Sequence, residues 1–290
     1  MICCLVWAGN FVVSAWVLGG DNTVFPNAVA VPPFMLAATR ALIVLIFMFP
    51  FFRIKRPEKW GRLLLVCACV GPIHLAFLYT GLITASASGS SIVSQMMIPF
   101  ATILSVIFLR ERVGWVRMAG IFGAFIGTII MIYEPGALSL DIGLLYVIAG
   151  YFSLAIGSVL IKAVGDVDWR QYVTWMAALV LPIMTIASAL FETGQADVLT
   201  LSLWQLLIAA AYAAICVSII AHGQYFNLIK RYDVSLVVPL TLMVPVFASI
   251  LGVVFLKETI FTRYYVGAAL ILPCVYLIAK RGKTVPLGES

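Results

Sequence analysis

Charged residues are scarce in this sequence of 290 residues. They make up 10% of it, whereas hydrophobic residues make up 63% and the mean hydropathy is +1.12. Soluble domains carry about 25% charged residues, so this composition excludes an ordinary water-soluble fold. Apolar runs of about 20 residues recur along the chain, each long enough to cross a hydrocarbon core of roughly 30 Å. The sequence therefore predicts an all-α polytopic membrane protein.

Acidic residues are absent from the apolar runs, since all 12 lie between the runs or in the tail. Carriers coupled to protons or sodium usually keep a carboxylate inside the membrane for the coupling ion. Its absence favours a passive facilitator or an exchanger, unless one of the two histidines takes up a proton. The 18 basic residues also lie almost entirely between the runs. The net charge of +6 therefore indicates membrane orientation rather than a nucleic-acid surface.

Clusters of catalytic or metal-binding side chains are missing as well. The sequence has no nucleophile–base pair, zinc-ligand spacing or phosphate-binding loop, so we expect no enzyme activity, no metal and no cofactor. All six cysteines fall inside apolar runs. Cys67 and Cys69 are two residues apart, which places them about 200° apart around a helix. They cannot share a ligand, and we interpret all six as small apolar packing residues.

Ten apolar runs are present, and each is predicted to form a membrane-spanning helix. With a cytoplasmic N-terminus, fifteen of the 18 basic residues fall on the cytoplasmic side and two outside, while Arg40 lies within a span. This positive-inside pattern predicts that both termini are cytoplasmic. The loops are short, the longest outer ones being 19–32 and 191–203, so no water-soluble domain is expected. The spans are predicted at residues 2–18, 33–52, 63–82, 88–109, 118–133, 142–161, 171–190, 204–228, 234–256 and 264–280.

One segment of the sequence occurs twice. Residues 100–111 (FATILSVIFLRE) return as residues 247–258 (FASILGVVFLKE), with eight of twelve positions identical and an offset of 147 residues. Ten spans then divide into two copies of five, residues 1–137 and 138–290. An odd number of spans per copy turns the second copy over relative to the first. Such inverted repeats are typical of secondary transporters, whose substrate site lies near the midplane between the two halves.

Polar side chains inside the spans are the candidate binding residues, because each one costs free energy unless it faces a cavity or finds a partner. They recur at helical spacing, as Ser218, His222 and Tyr225 do in span 8. A cavity between the halves would collect such stripes from spans 1, 3, 4, 6 and 8. The candidate substrate-binding residues are Trp7, Asn10, Arg40, His74, Gln95, Tyr151, His222 and Tyr225.

The histidines and Arg40 each have more than one interpretation. His74 and His222 lie 148 residues apart, one more than the repeat offset, and can flank one cavity, where an imidazole binds a carboxylate or titrates. Each can instead hydrogen-bond to a neighbouring helix. Arg40 is the only cation within a span. Its guanidinium can bind a substrate carboxylate bidentately, snorkel to the outer interface or brace a neighbouring helix.

Glycine and proline inside the spans predict local features of the helices. Gly120, Gly123 and Gly127 in span 5 include one G-x-x-x-G, which predicts close contact with a neighbouring helix. Pro72 in span 3 and Pro239 in span 9 interrupt helical hydrogen bonding. Both prolines, together with Gly71 in span 3 and Pro245 in span 9, are candidate hinges for a rocking motion.

The sequence resembles the EamA-like type of the drug/metabolite transporter superfamily over essentially its whole length. The resemblance is carried by Trp7-Ala-Gly-Asn10-Phe-Val, Thr39-Arg40-Ala, Arg110-Glu111-Arg112 with Gly120, and Lys257-Glu258 with Gly267. Within that superfamily, the sequence is most similar to the exporters of O-acetylserine and cysteine. The segments of this second similarity are Ser235-Leu-Val-Val-Pro239-Leu and Val244-Pro245-Val.

The resemblance implies a ten-helix fold in which spans 1–4 and 6–9 surround a central cavity and spans 5 and 10 lie at the periphery. It also implies export of amino acids or related small metabolites. Trp7, Asn10 and Arg40 match family motif positions, and because arginine recurs there whatever the substrate, the resemblance implies a structural role for Arg40. Two features depart from the family pattern. A basic leader before span 1 is absent, and a long segment, residues 19–31, precedes span 2.

Together these features predict an integral membrane secondary transporter that exports small metabolites, in particular amino acids or their derivatives, by alternating access around a central cavity. The alternative is a non-transporting membrane scaffold or accessory subunit, which would not require converging polar stripes. We expect a monomer, since each chain contains both halves. Its expected location is the bacterial cytoplasmic (inner) membrane, where it contacts lipid and a small-molecule substrate but no nucleic acid.

Overall fold

A computed structural model describes the chain in seven stretches: residues 1–18, 29–53, 59–82, 93–132, 142–165, 167–256 and 262–280. These stretches are almost entirely helical and contain no β-strand. Within these stretches, six helices are long and apolar enough to cross a membrane, and four shorter apolar helices accompany them. The chain is therefore an all-α polytopic membrane protein, as the composition predicts. The predicted start of span 4 at Ser88 and the predicted boundary between the halves at residue 137 lie outside the described residues.

The helices follow the ten predicted spans closely. Spans 1, 2, 4 and 5 contain the helices Ile2–Leu18, Pro33–Met48 (followed by a 3₁₀ turn, Phe49–Arg53), Met97–Leu109 and Trp115–Ile132. Spans 6, 7 and 10 are Ile142–Val164, Trp169–Phe191 and Thr262–Lys280. Span 3 comprises Trp60–Ala68, Cys69–Ile73 and His74–Leu82, and span 8 comprises Leu203–Tyr212, Ala213–Ala221 and His222–Arg231. Span 9 comprises Val234–Val237, the 3₁₀ turn Pro239–Leu242 and Met243–Leu256, so its helix changes at the predicted proline.

A short additional helix, Gln195–Leu201, lies inside the segment predicted as an outer loop. The preceding residue, Gly194, has a φ of 85°, which lets the chain turn after span 7 at little cost because glycine lacks a Cβ. Val198 in this helix is buried in a small apolar cluster with Val17 and Leu206. Burial of this side chain stabilises a helix that its length alone would leave marginal.

Several contacts between the described helices recur when each span is exchanged with the one five positions later. Span 2 packs against span 7, and span 5 packs against span 10, so each of these pairs joins equivalent helices. Span 3 contacts spans 6 and 7, just as span 8 contacts spans 1 and 2. Span 4 contacts span 6, just as span 9 contacts span 1. The centre of the bundle is therefore formed by both halves of the chain.

The glycines of span 5 allow its close approach to span 10, as the G-x-x-x-G spacing predicts. A Cβ added at Gly123 would lie 2.7 Å from the sulfur of Cys274, and one at Gly127 would lie 3.0 Å from the carbonyl oxygen of Gly267. Both distances are shorter than ordinary van der Waals contacts, so larger side chains would separate the two helices. Close backbone approach of this kind is a common basis of helix association in membranes.

Spans 3 and 8 each contain a π-helical turn, at Cys69–Ile73 and Ala213–Ala221, and each turn ends at a histidine. Shifted by the repeat offset of 147, the first turn falls at 216–220, inside the second. In span 3, Pro72 supplies the cause, because proline has no N–H to donate. In span 8, side chains take up the released carbonyls: Ser218 Oγ donates to Ala213 O over 3.1 Å. Such turns frequently mark functional sites within helices.

Two glutamates each cap a helix that belongs to the other half of the chain. The carboxylate of Glu192, after span 7, accepts hydrogen bonds from the backbone N–H groups of Phe34 and Met35 at the start of span 2. Glu111, after span 4, accepts from Val234 N at 2.8 Å and Ser235 N at 3.0 Å at the start of span 9. The first turn of a helix has unsatisfied N–H groups and a partial positive charge, so carboxylates stabilise it.

Glu111 also belongs to a group of charged side chains that joins the two halves, which we call the inter-half cluster. Lys162 Nζ donates to Glu111 Oε1 over 3.1 Å, and Arg117 Nη1 lies 3.3 Å from Asp233 Oδ2 and 3.2 Å from Ser235 Oγ. Burial raises the pKa of Glu111, but hydrogen bonds from Ser235 and Val234 and the charge of Lys162 outweigh it and lower that pKa below its ordinary value. Glu111 is therefore held as a carboxylate.

Candidate functional site

A cavity of about 130 Å³ lies among spans 2, 3, 6, 7 and 8. Its wall is mostly apolar, with a few polar side chains concentrated at one place, as is usual for sites that bind small molecules. Two of the spans belong to the first half of the chain and three to the second. The described residues that line it are Ala37, Arg40, Ala41, Val44, Val70, Gly71, His74, Leu75, Leu154, Met176, Ala177, Val180, Ser218 and His222.

Arg40 is the charged residue of this wall. Its Nε donates a hydrogen bond of 2.8 Å to Ser218 Oγ, and Ser218 in turn donates to Ala213 O at the π-helical turn of span 8. This chain of hydrogen bonds crosses from span 2 to span 8 and orients the planar guanidinium. Among the described residues, no carboxylate lies within 4.0 Å of Arg40, and its Nη1 and Nη2 groups form no hydrogen bond. Those nitrogens are therefore free for a ligand.

The two histidines line the same cavity from spans 3 and 8, which were predicted to contribute one each. The Nδ1 atom of His74 lies 3.0 Å from Gly150 O on span 6, and that of His222 lies 3.0 Å from Val217 O on its own helix. A carbonyl only accepts hydrogen bonds, so Nδ1 carries the proton in both rings. In the neutral form Nε2 is then an acceptor. His74 accordingly combines the two roles considered for it, cavity lining and contact between helices.

Trp7 and Tyr225 lie beside His222 rather than in the wall of this cavity. The Trp7 ring centroid is 5.6 Å from that of His222 and 5.3 Å from that of Tyr225. The hydroxyl group of Tyr225 lies 3.2 Å from Ser158 Oγ on span 6. Both aromatic residues line a second cavity of about 240 Å³ between spans 1, 8, 9 and 10. His222, which lines the first cavity, therefore lies next to Trp7, which lines the second.

The remaining three candidates lie further away. Tyr151 packs edge-to-face on His74, with a centroid separation of 5.0 Å. Gln95 donates to Ser94 Oγ over 3.2 Å, next to the start of the span 4 helix. Asn10 is half-buried in span 1. None of the three is among the described residues that line either cavity, so the structure gathers Arg40 and the histidines but not the whole predicted set.

Several residues of the cavity wall were not among the sequence candidates. Ser218 was visible as part of the polar stripe of span 8, but only the structure pairs it with Arg40. Span 7 contributes Met176 and Val180, which no sequence pattern identifies because apolar residues in a span are equally consistent with lipid contact. Gly71 brings span 7 close to span 3, since a Cβ there would lie 2.8 Å from Met176 Cγ.

Comparison with known proteins gives consistent matches over nearly the whole chain. The model of the EamA-like transporter family matches residues 1–133 and 141–280. A probable amino-acid metabolite efflux pump of Escherichia coli K12 is 28% identical over 286 residues, covering 94% of this chain and 91% of that protein. The protein of the same description from Salmonella typhimurium is 29% identical over 286 residues with the same coverage.

Two further matches are more distant. An uncharacterized transporter of Synechocystis is 27% identical over 277 residues, covering 86% of this chain and 82% of that protein. A crystal structure of another protein superposes with a TM-score of 0.75 at 20% identity, covering 96% of this chain and 97% of that one. At that level of identity the superposition shows similarity of fold only.

Proposed function

The chain belongs to the EamA-like transporter family, and from that premise we propose that it exports amino acids or their derivatives by alternating access. Membership of this family and similarity to efflux pumps identify the chain as a membrane exporter of small metabolites. The proposal adds the substrate class, the mechanism and a site. The site is the cavity that contains Arg40, His74, Ser218 and His222.

The observation that carries this proposal is the environment of Arg40. A guanidinium is always protonated in proteins, and it is expensive to keep in a membrane without a purpose. Its Nε is fixed by Ser218, while Nη1 and Nη2 have no hydrogen-bond partner among the described residues. A carboxylate binds a guanidinium through two parallel hydrogen bonds. Amino acids and many of their derivatives carry that group, so Arg40 acts as both a brace between helices and a carboxylate receptor.

The symmetric packing of the halves supports the alternating-access mechanism. Equivalent spans exchange equivalent contacts, and the cavity takes its wall from both halves. In transporters built from inverted repeats, one half rocks against the other around a site near the midplane. The inter-half cluster around Glu111 then holds the halves together at one end of the bundle, and its separation accompanies the change of state.

The proposed arrangement in the cell is a monomer in the bacterial inner membrane, with both termini in the cytoplasm and lipid around the bundle. The distribution of basic residues supports this orientation. The halves are proposed to divide at residues 137 and 138. The family model matches the chain in two segments, 1–133 and 141–280, on either side of that division.

Counterflow in proteoliposomes tests the proposal. Vesicles preloaded with unlabelled amino acids or derivatives would receive trace labelled compound at equal pH and zero potential. We expect wild-type protein to accumulate the labelled compound. The counterflow rate of Arg40→Gln should be lower by a factor of about ten or more, because the substrate carboxylate loses its charged partner. The rate of Arg40→Lys should fall less, because lysine keeps the positive charge.

The matched control is Arg231→Gln, which removes an exposed arginine at the end of span 8, remote from the cavity wall. We expect that variant to transport at the wild-type rate. Counterflow by folded, monodisperse Arg40→Gln protein at the wild-type rate would exclude Arg40 as the carboxylate receptor.

A further inference from the structure

The wall of the cavity has one fixed positive charge and no described negative charge to balance it. Of the fourteen described lining residues, Arg40 is permanently charged and none is acidic. Glu192 keeps its negative charge, but it lies outside the described wall and forms no ion pair with Arg40; its carboxylate accepts from two backbone N–H groups of span 2 and from Ser188 Oγ at 2.7 Å. Protonation of either cavity histidine would only add positive charge. A bound ligand of net charge −1 therefore leaves the site neutral, whereas a zwitterion leaves it positive.

The cavity also offers little to an ammonium group, which has three N–H donors to satisfy. The backbone carbonyls of interrupted helices often bind cations in transporters. At the two π-helical turns here, Cys69 O, Ala213 O and Val217 O each already accept one hydrogen bond, from Ser153, Ser218 and the ring of His222 respectively, and none of the three accepting residues is among the described residues of the wall. Ser218 Oγ is itself occupied by Arg40. The described wall contains no Trp, Tyr or Phe, so a cation–π contact is not available either.

A neutral group in place of the ammonium fits the same wall better. One acceptor, such as the Nε2 atom of a neutral cavity histidine, satisfies the single N–H of an amide, whereas the two imidazoles together supply only two of the three acceptors that an ammonium group needs. A 2-oxo group has no donor that needs an acceptor, and a 2-hydroxy group has one. The rest of the wall is apolar, with Val44, Val70, Leu154, Met176 and Val180 around the polar end. It therefore suits an apolar side chain attached to the carboxylate-bearing carbon.

We infer that the cavity selects net monoanions: amino-acid derivatives whose amino group is acylated or replaced, with an apolar side chain, in preference to the free zwitterions. This inference rests on the proposed function and names its substrate class. It has a consequence for energetics. A cell interior that is negative expels an anion, and a potential of 100 mV favours the exit of one negative charge about fifty-fold. Export then needs no coupling ion, in keeping with spans that contain no acidic residue.

The test uses four compounds that share one isobutyl side chain: leucine, N-acetyl-leucine, 4-methyl-2-oxopentanoate and leucinamide. Each is offered as label to proteoliposomes preloaded with the same unlabelled compound, with wild-type protein and Arg40→Gln. We expect the two monoanions to show counterflow at least about tenfold faster than leucine, and leucinamide to show none. In a second arm, a potassium gradient with valinomycin sets the potential, and an inside-positive potential should increase anion uptake into the vesicles.

The outcomes separate this inference from the proposed function. Counterflow of leucine at or above the rate of N-acetyl-leucine, lost in Arg40→Gln, overturns the inference and leaves the proposed function standing. Monoanion uptake that does not respond to the potential overturns electrogenic export. Counterflow of none of the four by folded, monodisperse protein overturns both. A tenfold preference for the monoanions that falls in Arg40→Gln supports both, because loss of the charge removes the reason for the preference.

Discussion

At the scale of single residues, the orientation of the Arg40 side chain depends on one hydroxyl group. Ser218 Oγ accepts a hydrogen bond from Nε and donates one to the backbone carbonyl of Ala213, so the serine connects the guanidinium to the π-helical turn of span 8. Serine in a span is otherwise unremarkable, since its hydroxyl commonly bonds to its own helix. Here the same hydroxyl determines which two guanidinium nitrogens remain for a carboxylate.

Replacement of Ser218 by alanine should weaken substrate binding rather than abolish transport. A hydrogen bond to a charged group contributes roughly 1.5–3 kcal/mol, so we expect about a tenfold rise in the half-saturation concentration and little change in maximal rate. Ser218→Thr keeps the hydroxyl group and should restore most of the affinity. The measurement is the concentration dependence of counterflow.

Ser249→Ala is the matched control, because it removes a serine hydroxyl that bonds to Pro245 O in span 9, away from the cavity. If Ser218→Ala and Ser249→Ala have the same half-saturation concentration, Ser218 does not position Arg40.

At the scale of helices, Glu111 links the end of span 4 to the start of span 9. Arg110 has a left-handed φ of 55°, and the backbone N–H of Glu111 returns to Ser105 O, so the chain turns sharply at the helix end. The turn presents the carboxylate to the N–H groups of Val234 and Ser235. A repeated Arg-Glu or Lys-Glu turn in the sequence thus has, in the first copy, a structural role in joining the halves.

Glu111→Gln should destabilise the protein by about 1–3 kcal/mol at pH 7, because the amide loses the charge that two N–H groups and Lys162 stabilise. The pKa of Glu111 is lowered in the folded state, so this stabilisation is complete above the ordinary glutamate pKa of about 4.3 and disappears as pH falls through the lowered folded value. Thermal unfolding in detergent, from pH 7 down to about pH 3, should therefore show the difference between wild type and variant closing at the acid end.

Asp168→Asn provides the comparison for Glu111→Gln. Asp168 also caps a helix, through Arg170 N at 2.9 Å, but its side chain is largely exposed to solvent. We expect a smaller loss of stability at pH 7 for Asp168→Asn. An unfolding difference for Glu111→Gln that stays constant across the pH range would contradict the assigned role of the carboxylate.

Much of the helix layout follows from the sequence, whereas much of the site does not. Apolar runs and basic loops suffice to place ten spans, because the membrane imposes length and composition on each of them. The rotation of each helix about its axis is set by packing, which explains why Arg40 and His222 reach the cavity while Asn10 and Gln95 do not. The bond between Arg40 and Ser218 joins residues 178 positions apart, and no local pattern encodes it.

The two glutamate caps illustrate the same limit. In the sequence, Glu192 and Glu111 are ordinary polar residues at the ends of spans. Their positions do not predict which helix N-terminus each carboxylate caps. By contrast, the contact made by the glycines of span 5 was predictable from the sequence, because two glycines four positions apart, Gly123 and Gly127, allow close approach whichever helix is the neighbour.

At the scale of the whole molecule, the proposed inverted arrangement of the halves, with cytoplasmic termini, predicts which positions face each side of the membrane. In a variant without native cysteines, Ala196→Cys should react with a membrane-impermeant maleimide in intact cells. Gly61→Cys and Gly114→Cys should react only after permeabilisation. All three positions are exposed, and a side chain at either glycine meets no atom within 4 Å, so failure to react reflects location rather than burial.

Gly61 and Gly114 serve as controls for each other. Gly61 lies in the predicted connection between spans 2 and 3 and Gly114 in the one between spans 4 and 5, and both connections are expected to be cytoplasmic. The reverse labelling pattern would place the N-terminus outside. Different behaviour of the two glycine positions would contradict the predicted span count between them.

The π-helical turns explain an apparent irregularity in the spacing of the histidines. His74 and His222 lie 148 residues apart although the repeats are offset by 147, a displacement that would rotate a side chain by about 100° in an uninterrupted α-helix. A turn that holds an additional residue can absorb that rotation locally. The duplicated halves can therefore differ by a single inserted or deleted residue in this region and still direct an imidazole into the shared cavity. A one-residue difference in length between the two sequence repeats is therefore compatible with both histidines lining one cavity.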